Sequence, residues 1–195
     1  MTTPAEDKRA TLGDLARLRD DGYAIELIDG EIVHKAQPTV AHGSSQAKLG
    51  ALLDGFNRGG SGPRGPGGWW IMVEVEVLYP QAGDVYRHDV LGFRRDRHAK
   101  RPEGIPVSAR PDWVCEILSP STARYDLVKK QRTLHAHGVP HYWIVDPEHE
   151  TLTVMRLADE HYMRVLDAGR GDTAVAEPFG EVELSIDELF GQDDA

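Results

Sequence analysis

The spacing of hydrophobic and polar positions changes several times along the chain, and each change marks an element. Thr11-Leu12-Gly13-Asp14 has the form of a capping box with Asp in place of Glu, and it predicts a short helix to about Asp20. Two strand-like runs follow, Tyr23–Ile28 and Glu31–Ala36, with the hairpin signal Asp29-Gly30 between them. From Thr39 to Arg58 the period is helical, and Leu49, Leu52, Leu53 and Phe56 share one apolar face. Gly59–Gly68, GGSGPRGPGG, reads as a flexible loop. Strands are expected over Trp70–Tyr79, Val85–Phe93 and Asp112–Leu118, the last two separated by a long polar loop containing Pro102 and Pro106. A helix is expected from about Ala123 to His137, capped by Ser121 or Thr122 and ended by Gly138 and Pro140. His141–Val145 and Thr151–Leu157 form a strand pair around Asp146-Pro147, and Glu181–Phe190 reads as a strand and a short helical turn. The order α-β-β-α-β-β-β-α-β-β predicts an α/β (α+β) fold, a mixed sheet flanked by helices with an N-terminal β-hairpin.

Length and charge narrow the setting. The 195 residues suit one domain, 1–195, with tails at 1–9 and 191–195. No apolar run approaches the roughly 20 residues that cross a bilayer, and the N-terminus lacks an apolar signal region, so no membrane partner is expected. Cys115 is the only cysteine, which makes a reducing cytoplasm the simplest location. The net charge of -10 argues against a broad nucleic-acid-binding surface. One segment departs from this balance. Arg94, Arg95, Arg97, Lys100 and Arg101 fall within eight residues that contain a single acid, Asp96. A solvated basic loop is the plain account. Its place just after an acid-bearing strand makes it a candidate grip for phosphates.

The chemistry begins at Trp113-Val114-Cys115-Glu116-Ile117-Leu118, where Glu116 interrupts an apolar strand. A buried carboxylate is costly unless it is paired or bound to a metal, and both accounts stay open for one residue. On the next helix Ala123, Leu127, Lys130 and Leu134 form one stripe at α-helical spacing, which turns Lys130 inward and Lys129 elsewhere. Lys130 can also pair with Asp126, four residues back. Asp89, in His88-Asp89-Val90-Leu91-Gly92-Phe93, is a second acid leading into an apolar strand. Two carboxylates on neighbouring strands with a lysine nearby suit phosphodiester hydrolysis assisted by Mg²⁺ or Mn²⁺. Asp112 is a rival acid, but it lies four residues from Glu116 on one strand, roughly 13 Å when extended, so it reads as structural. Nine histidines occur without a CxxC or HExxH pattern, so zinc is not indicated. Trp113 and Trp143 read as core residues.

The segment Pro111–Thr122, together with Asp126, Lys130 and Gly138–Pro147, resembles the signature of a bacterial restriction endonuclease family in the PD-(D/E)xK nuclease superfamily. Asp29–Val33 and His42 also fit, and the resemblance spans roughly residues 20–190. It implies a restriction-endonuclease-like fold, with Asp89 as the motif Asp and Glu116 as the motif Glu. It further implies the backbone carbonyl of Ile117 as a metal ligand and Glu31 and His42 as supporting groups. The lysine expected two residues after Glu116 is Leu118 here, so the amine falls to Lys130. His88 stands where relatives carry Pro, and Leu134 where they often carry Tyr. The implied partners are nucleic acid, DNA foremost, and a second copy of the chain as a homodimer. The other reading is a non-catalytic binding or regulatory module that retains the nuclease fold, since fold resemblance alone does not separate the two.

Overall fold

The computed structural model describes residues 9–22, 24–35, 37–62, 65–119, 123–180 and 182–191. Helix α1 (Leu12–Asp20) opens on the expected box: the Asp14 carboxylate accepts the Thr11 N–H at 2.9 Å and the Thr11 hydroxyl accepts the Asp14 N–H. Strands β1 (Ile25–Ile28) and β2 (Glu31–His34) pair about Asp29 and Gly30, both at positive φ, the conformation that matches hairpin twist. Helix α2 (Val40–Leu52) is shorter than its helical pattern. The long strands β3 (Trp69–Tyr79) and β4 (Asp84–Arg94) pair antiparallel, and β5 (Trp113–Ile117) follows.

The expected helix over Ala123–His137 is two pieces. A π-helical turn, Tyr125–Lys130, runs directly into α3 (Gln131–Ala136). The wider turn carries Asp126, Lys130 and Leu134 inward and leaves Leu127 and Val128 exposed, so the stripe differs from its α-helical phase at Leu127. The caps expected at Ser121 or Thr122, and the strand ends at Tyr23, Ala36 and Glu181, lie outside the described residues. Beyond α3 come β6 (His141–Asp146), β7 (Thr151–Leu157), β8 (Tyr162–Gly169), β9 (Thr173–Val175), β10 (Glu183–Ser185) and α4 (Ile186–Phe190). The sequence pattern did not mark β8 and β9. In β8 only Tyr162 and Ala168 are buried, so the strand carries no apolar alternation to read.

Eight strands form one mixed sheet in the order β2-β1-β4-β5-β6-β7-β8, with β3 also on β4, while β9 and β10 pair apart. Among the described strands only β5 and β6 pair in parallel, so the chain between them must cross back, and the π-turn and α3 lie on that crossing. One face buries Leu49, Leu53, Phe56, Trp113, Trp143, Phe179 and Leu189 under α2 and α4. Trp113 and Trp143 meet edge to face within this core. The other face buries Tyr79, Tyr86, Leu91, Val114, Leu134 and Tyr142 beneath α3. Among the described residues no helix is long and apolar enough to cross a membrane.

Two irregularities of β4 set up the site. Strand β3 follows one edge of β4 along its whole length, so β1 and β5 share the other edge. β1 takes Val85 and β5 takes Val90 to Gly92, leaving a fork between them at residues 86–89. The alternation of faces also slips there. Tyr86 packs with the same core as Leu91 and Phe93, while Val90 packs with the opposite one. β3 slips in step: Val77 and Tyr79 share a core with Trp70 and Met72, and Glu74 between them sits at φ 54°. Glu74 and Asp89, at the slip, are the one position in the β3–β4 register without a paired partner.

Candidate active site

The fork exposes backbone groups that a regular ladder would satisfy, and polar side chains satisfy them instead. The Glu26 carboxylate accepts the Arg87 N–H at 2.8 Å, and the Lys35 ammonium donates to the Arg87 carbonyl at 2.9 Å. Gln46 of α2 donates to the Asp89 carbonyl at 2.8 Å. The Asp89 carboxylate accepts the Ile117 N–H at 2.7 Å. Of these side chains, Glu26, Lys35 and Asp89 surround a small cavity of about 20 Å³, room for a water-sized body. Asp89, Glu116, Ile117, Asp126, Lys130 and His42 all line it, with Glu26 and Lys35. Asp89 stands one step before the pair Val90–Cys115, which puts it beside Glu116 on the neighbouring strand.

Charge in the cavity is arranged around two ammonium groups. Lys130 Nζ lies 3.0 Å from Glu26, 3.2 Å from Glu116 and 3.1 Å from Asp126. Lys35 Nζ lies 2.6 Å from Asp89 Oδ1 and 3.3 Å from Glu74. Lys129 faces away and pairs with Asp29 at 2.7 Å. His88 is fully buried between the Tyr79 hydroxyl at 2.7 Å and Glu116 Oε1 at 2.5 Å. Burial, aided by the charges of Lys130 and Lys35, pushes the His88 imidazole well below its usual range.

The two central carboxylates titrate in opposite directions. Burial opposes ionisation of Asp89, but the His42 hydrogen bond and the charges of Lys35 and Lys130 override it and hold the carboxyl well below its usual range. Burial pushes Glu116 well up; Lys130 counteracts this, and the nearby Asp89 and Asp126 add to it. Lys130 stays charged: burial works against its ammonium, and Asp126, Glu116 and Glu26 more than compensate.

Among the described residues, one group has three donor atoms within 4.8 Å of one another, and it comprises His42, Glu74 and Asp89. Glu116 stands outside this group, with Oε1 engaged by His88 and Lys130. Glu31, expected beside the site, is exposed at the hairpin end; Glu26, across the hairpin on β1, is the buried acid that reaches the cavity.

The basic run lies elsewhere. Arg94 is five residues past Asp89 on β4, roughly 17 Å along an extended strand. Its three inner arginines have local partners: Arg94 pairs with Asp96, Arg95 stacks on Trp70, and Arg97 pairs with buried Asp112. Lys100 and Arg101 are exposed. The segment therefore ties down its own loop and Asp112 and does not line the cavity.

A family model described as Uma2, "Putative restriction endonuclease", matches residues 12–187. The chain belongs to the Uma2 family. It is also similar to a solved structure described as a "putative nuclease belonging to DUF820 from Anabaena variabilis ATCC 29413". The identity is 23%, the TM-score 0.67, and the match covers 92% of this chain and 97% of that one. At that identity the likeness is one of fold, and it agrees with the mixed sheet flanked by helices. No curated protein matches the chain.

Within this Uma2 chain, sequence reasoning singled out Asp89, Glu116, Asp126, Lys130 and His42 and overlooked Glu26, Lys35, Gln46 and Glu74. A signal for Glu26 was present: Ile25-Glu26-Leu27-Ile28 is a lone acid in an apolar strand, the same cue that marked Glu116.

Proposed function

We propose that this Uma2 chain hydrolyses phosphodiester bonds of nucleic acid in a metal-dependent reaction, and that it is a DNA endonuclease using Mg²⁺ or Mn²⁺. The observation that carries the proposal is the pairing of Asp89 and Glu116 around one cavity at the fork of the sheet. The residues fit a divalent cation. Glu26, Glu74, Asp89, Glu116 and Asp126 are five acids against the three fixed cations Lys35, Arg87 and Lys130, which leaves two formal negative charges. Burial and the neighbouring Asp89 and Asp126 push the Glu116 carboxyl up against the charge of Lys130, so a cation at the site would relieve this crowding of acids. His42 Nδ1 is buried without a hydrogen-bond partner, on a ring that faces Asp89.

Asp89 is the acid common to the candidate ligand sets. His42 and Glu74 would join it on one side, Glu116 and the Ile117 carbonyl on the other. A bound ion would polarise the phosphate and ease ionisation of the attacking water. The chain's own contribution is placement. Ile117 fixes one oxygen of Asp89, and His88 and Lys130 fix Glu116. The acidic walls leave a phosphate little attraction except through the ion and the lysines.

The test is a cleavage panel of single-stranded, double-stranded and supercoiled DNA and RNA, with Mg²⁺, Mn²⁺ or EDTA, run beside thermal melts. Metal-dependent cleavage lost in Asp89→Asn supports the proposal. A chain that neither cleaves any substrate nor melts higher with metal would instead be a binding module on the nuclease fold.

A further inference from the structure

Two lysines reach the cavity, and their N–H groups are committed differently. The ammonium of Lys130 faces three carboxylates at 3.0 to 3.2 Å, one for each donor, with 3% of its side chain exposed. Asp126 Oδ1 has no hydrogen bond beyond this ion pair, so turning Lys130 toward a substrate would strand it. Lys35 is held by two close contacts, Asp89 at 2.6 Å and the Arg87 carbonyl at 2.9 Å. Its third, to Glu74, is long at 3.3 and 3.5 Å. Glu74 does not depend on it, because it also accepts from Arg87 Nε at 2.9 Å and Gln46 Nε2 at 3.1 Å. The third donor of Lys35 can therefore be redirected at little cost. Its side chain is 12% exposed, four times the fraction of Lys130.

We infer that Lys35, and not Lys130, is the lysine that contacts the scissile phosphate; the inference rests on the nuclease reading of this site. In hydrolysis the water oxygen forms a bond to phosphorus and the bond from phosphorus to the leaving oxygen breaks. A solvent water accepts the nucleophile's proton, another returns a proton to the leaving oxygen, and the products are a phosphomonoester and an alcohol. Lys35 keeps its own proton. It donates to a non-bridging phosphate oxygen, where negative charge grows in the transition state. Its first two bonds fix the ammonium against Asp89, so the contact is made by a preset group. Lys130 is a buried structural cation that holds Glu26, Glu116 and Asp126 together.

Lys35→Met, Lys35→Arg and Lys130→Met of the full chain separate the two roles. The readouts are cleavage of plasmid and short duplex DNA, Mn²⁺ affinity by calorimetry and melting temperature. Lys35→Met is expected to lose cleavage by about 100-fold, the scale of one transition-state donor. It should also bind Mn²⁺ more tightly, because the ammonium 2.6 Å from Asp89 competes with a cation there. Lys35→Arg should return Mn²⁺ affinity toward the wild-type value with only part of the cleavage. Lys130→Met should melt lower. Should Lys35→Met not fold, Lys35→Gln carries the same comparison. Wild-type cleavage and unchanged Mn²⁺ affinity in Lys35→Met would overturn the inference. If the wild type cleaves nothing, the nuclease reading fails and the inference about the phosphate falls with it, whatever the Mn²⁺ titration shows about the ammonium beside Asp89.

Discussion

The Asp89 carboxylate is bonded to the backbone of the next strand, with Oδ2 accepting the Ile117 N–H at 2.7 Å. One oxygen is thereby fixed, and the other faces Lys35 at 2.6 Å and His42 at 3.5 Å. This acid is a structural member of the sheet as well as a candidate ligand, and its removal should register in stability.

Asp89→Asn and Glu116→Gln should therefore differ without metal. Asn at 89 leaves the Lys35 charge without its closest partner, and a loss of about 3 kcal/mol is expected. Gln at 116 replaces a carboxyl that burial already drives toward the neutral form, so its stability should stay within about 1 kcal/mol of wild type. Urea titrations in EDTA check this, and equal losses would contradict the assignment of charge.

Metal stabilisation should grow with pH. The folded-state value of Glu116 is raised, so its contribution to stability is fully present below the ordinary 4.5 and is lost as pH rises through the folded value. An ion at the site takes the place of that proton, and its binding strengthens as the proton leaves. The rise in melting temperature on adding Mn²⁺ should be smallest at the acid end of the folded range and grow as the pH is raised. A rise independent of pH would show that Glu116 is not linked to the ion.

Arg97→Ala should destabilise the fold by about 1.5 kcal/mol, since it removes the charged partner of buried Asp112. The double change Lys100→Ala and Arg101→Ala, at exposed positions, should stay within about 0.5 kcal/mol. Thermal melts compare them, and equal effects would argue against an anchoring role for Arg97.

Gly92→Ala tests the packing beside the site. A Cβ at this position would lie 3.0 Å from the Trp69 ring and 3.2 Å from the Trp113 ring. Both rings belong to the core, and a cost of about 2 kcal/mol is expected. A variant as stable as wild type would mean that the indole rings yield freely.

The sequence made some of this site readable because burial leaves a mark on composition. Glu116 stands out in an apolar strand, and Lys130 stands out by helical phase even though the helix there is a π-turn. Lys35 leaves no such mark. It follows a short strand with exposed ends and reaches Asp89 only through the pairing of β1 with β4, a contact across more than fifty residues. Glu74 lies in an alternating run that reads as an ordinary strand, and nothing in Val73-Glu74-Val75 announces its positive φ. Asp89 also showed as an acid leading into an apolar strand, and the family signature added His42, whereas it pointed to Glu31 where the structure puts Glu26 at the cavity.

A flawless sheet offers a ligand nothing, because neighbouring strands consume every amide hydrogen and carbonyl oxygen along their shared edges. Here the weave has a dropped stitch: the Glu74 and Asp89 position goes unpaired, and Gln46 from the covering helix takes up the Asp89 carbonyl. A change that mended the stitch would yield a sounder sheet and close the opening around Asp89. Loss of this site need not therefore announce itself as misfolding; it could arrive as an improvement in order.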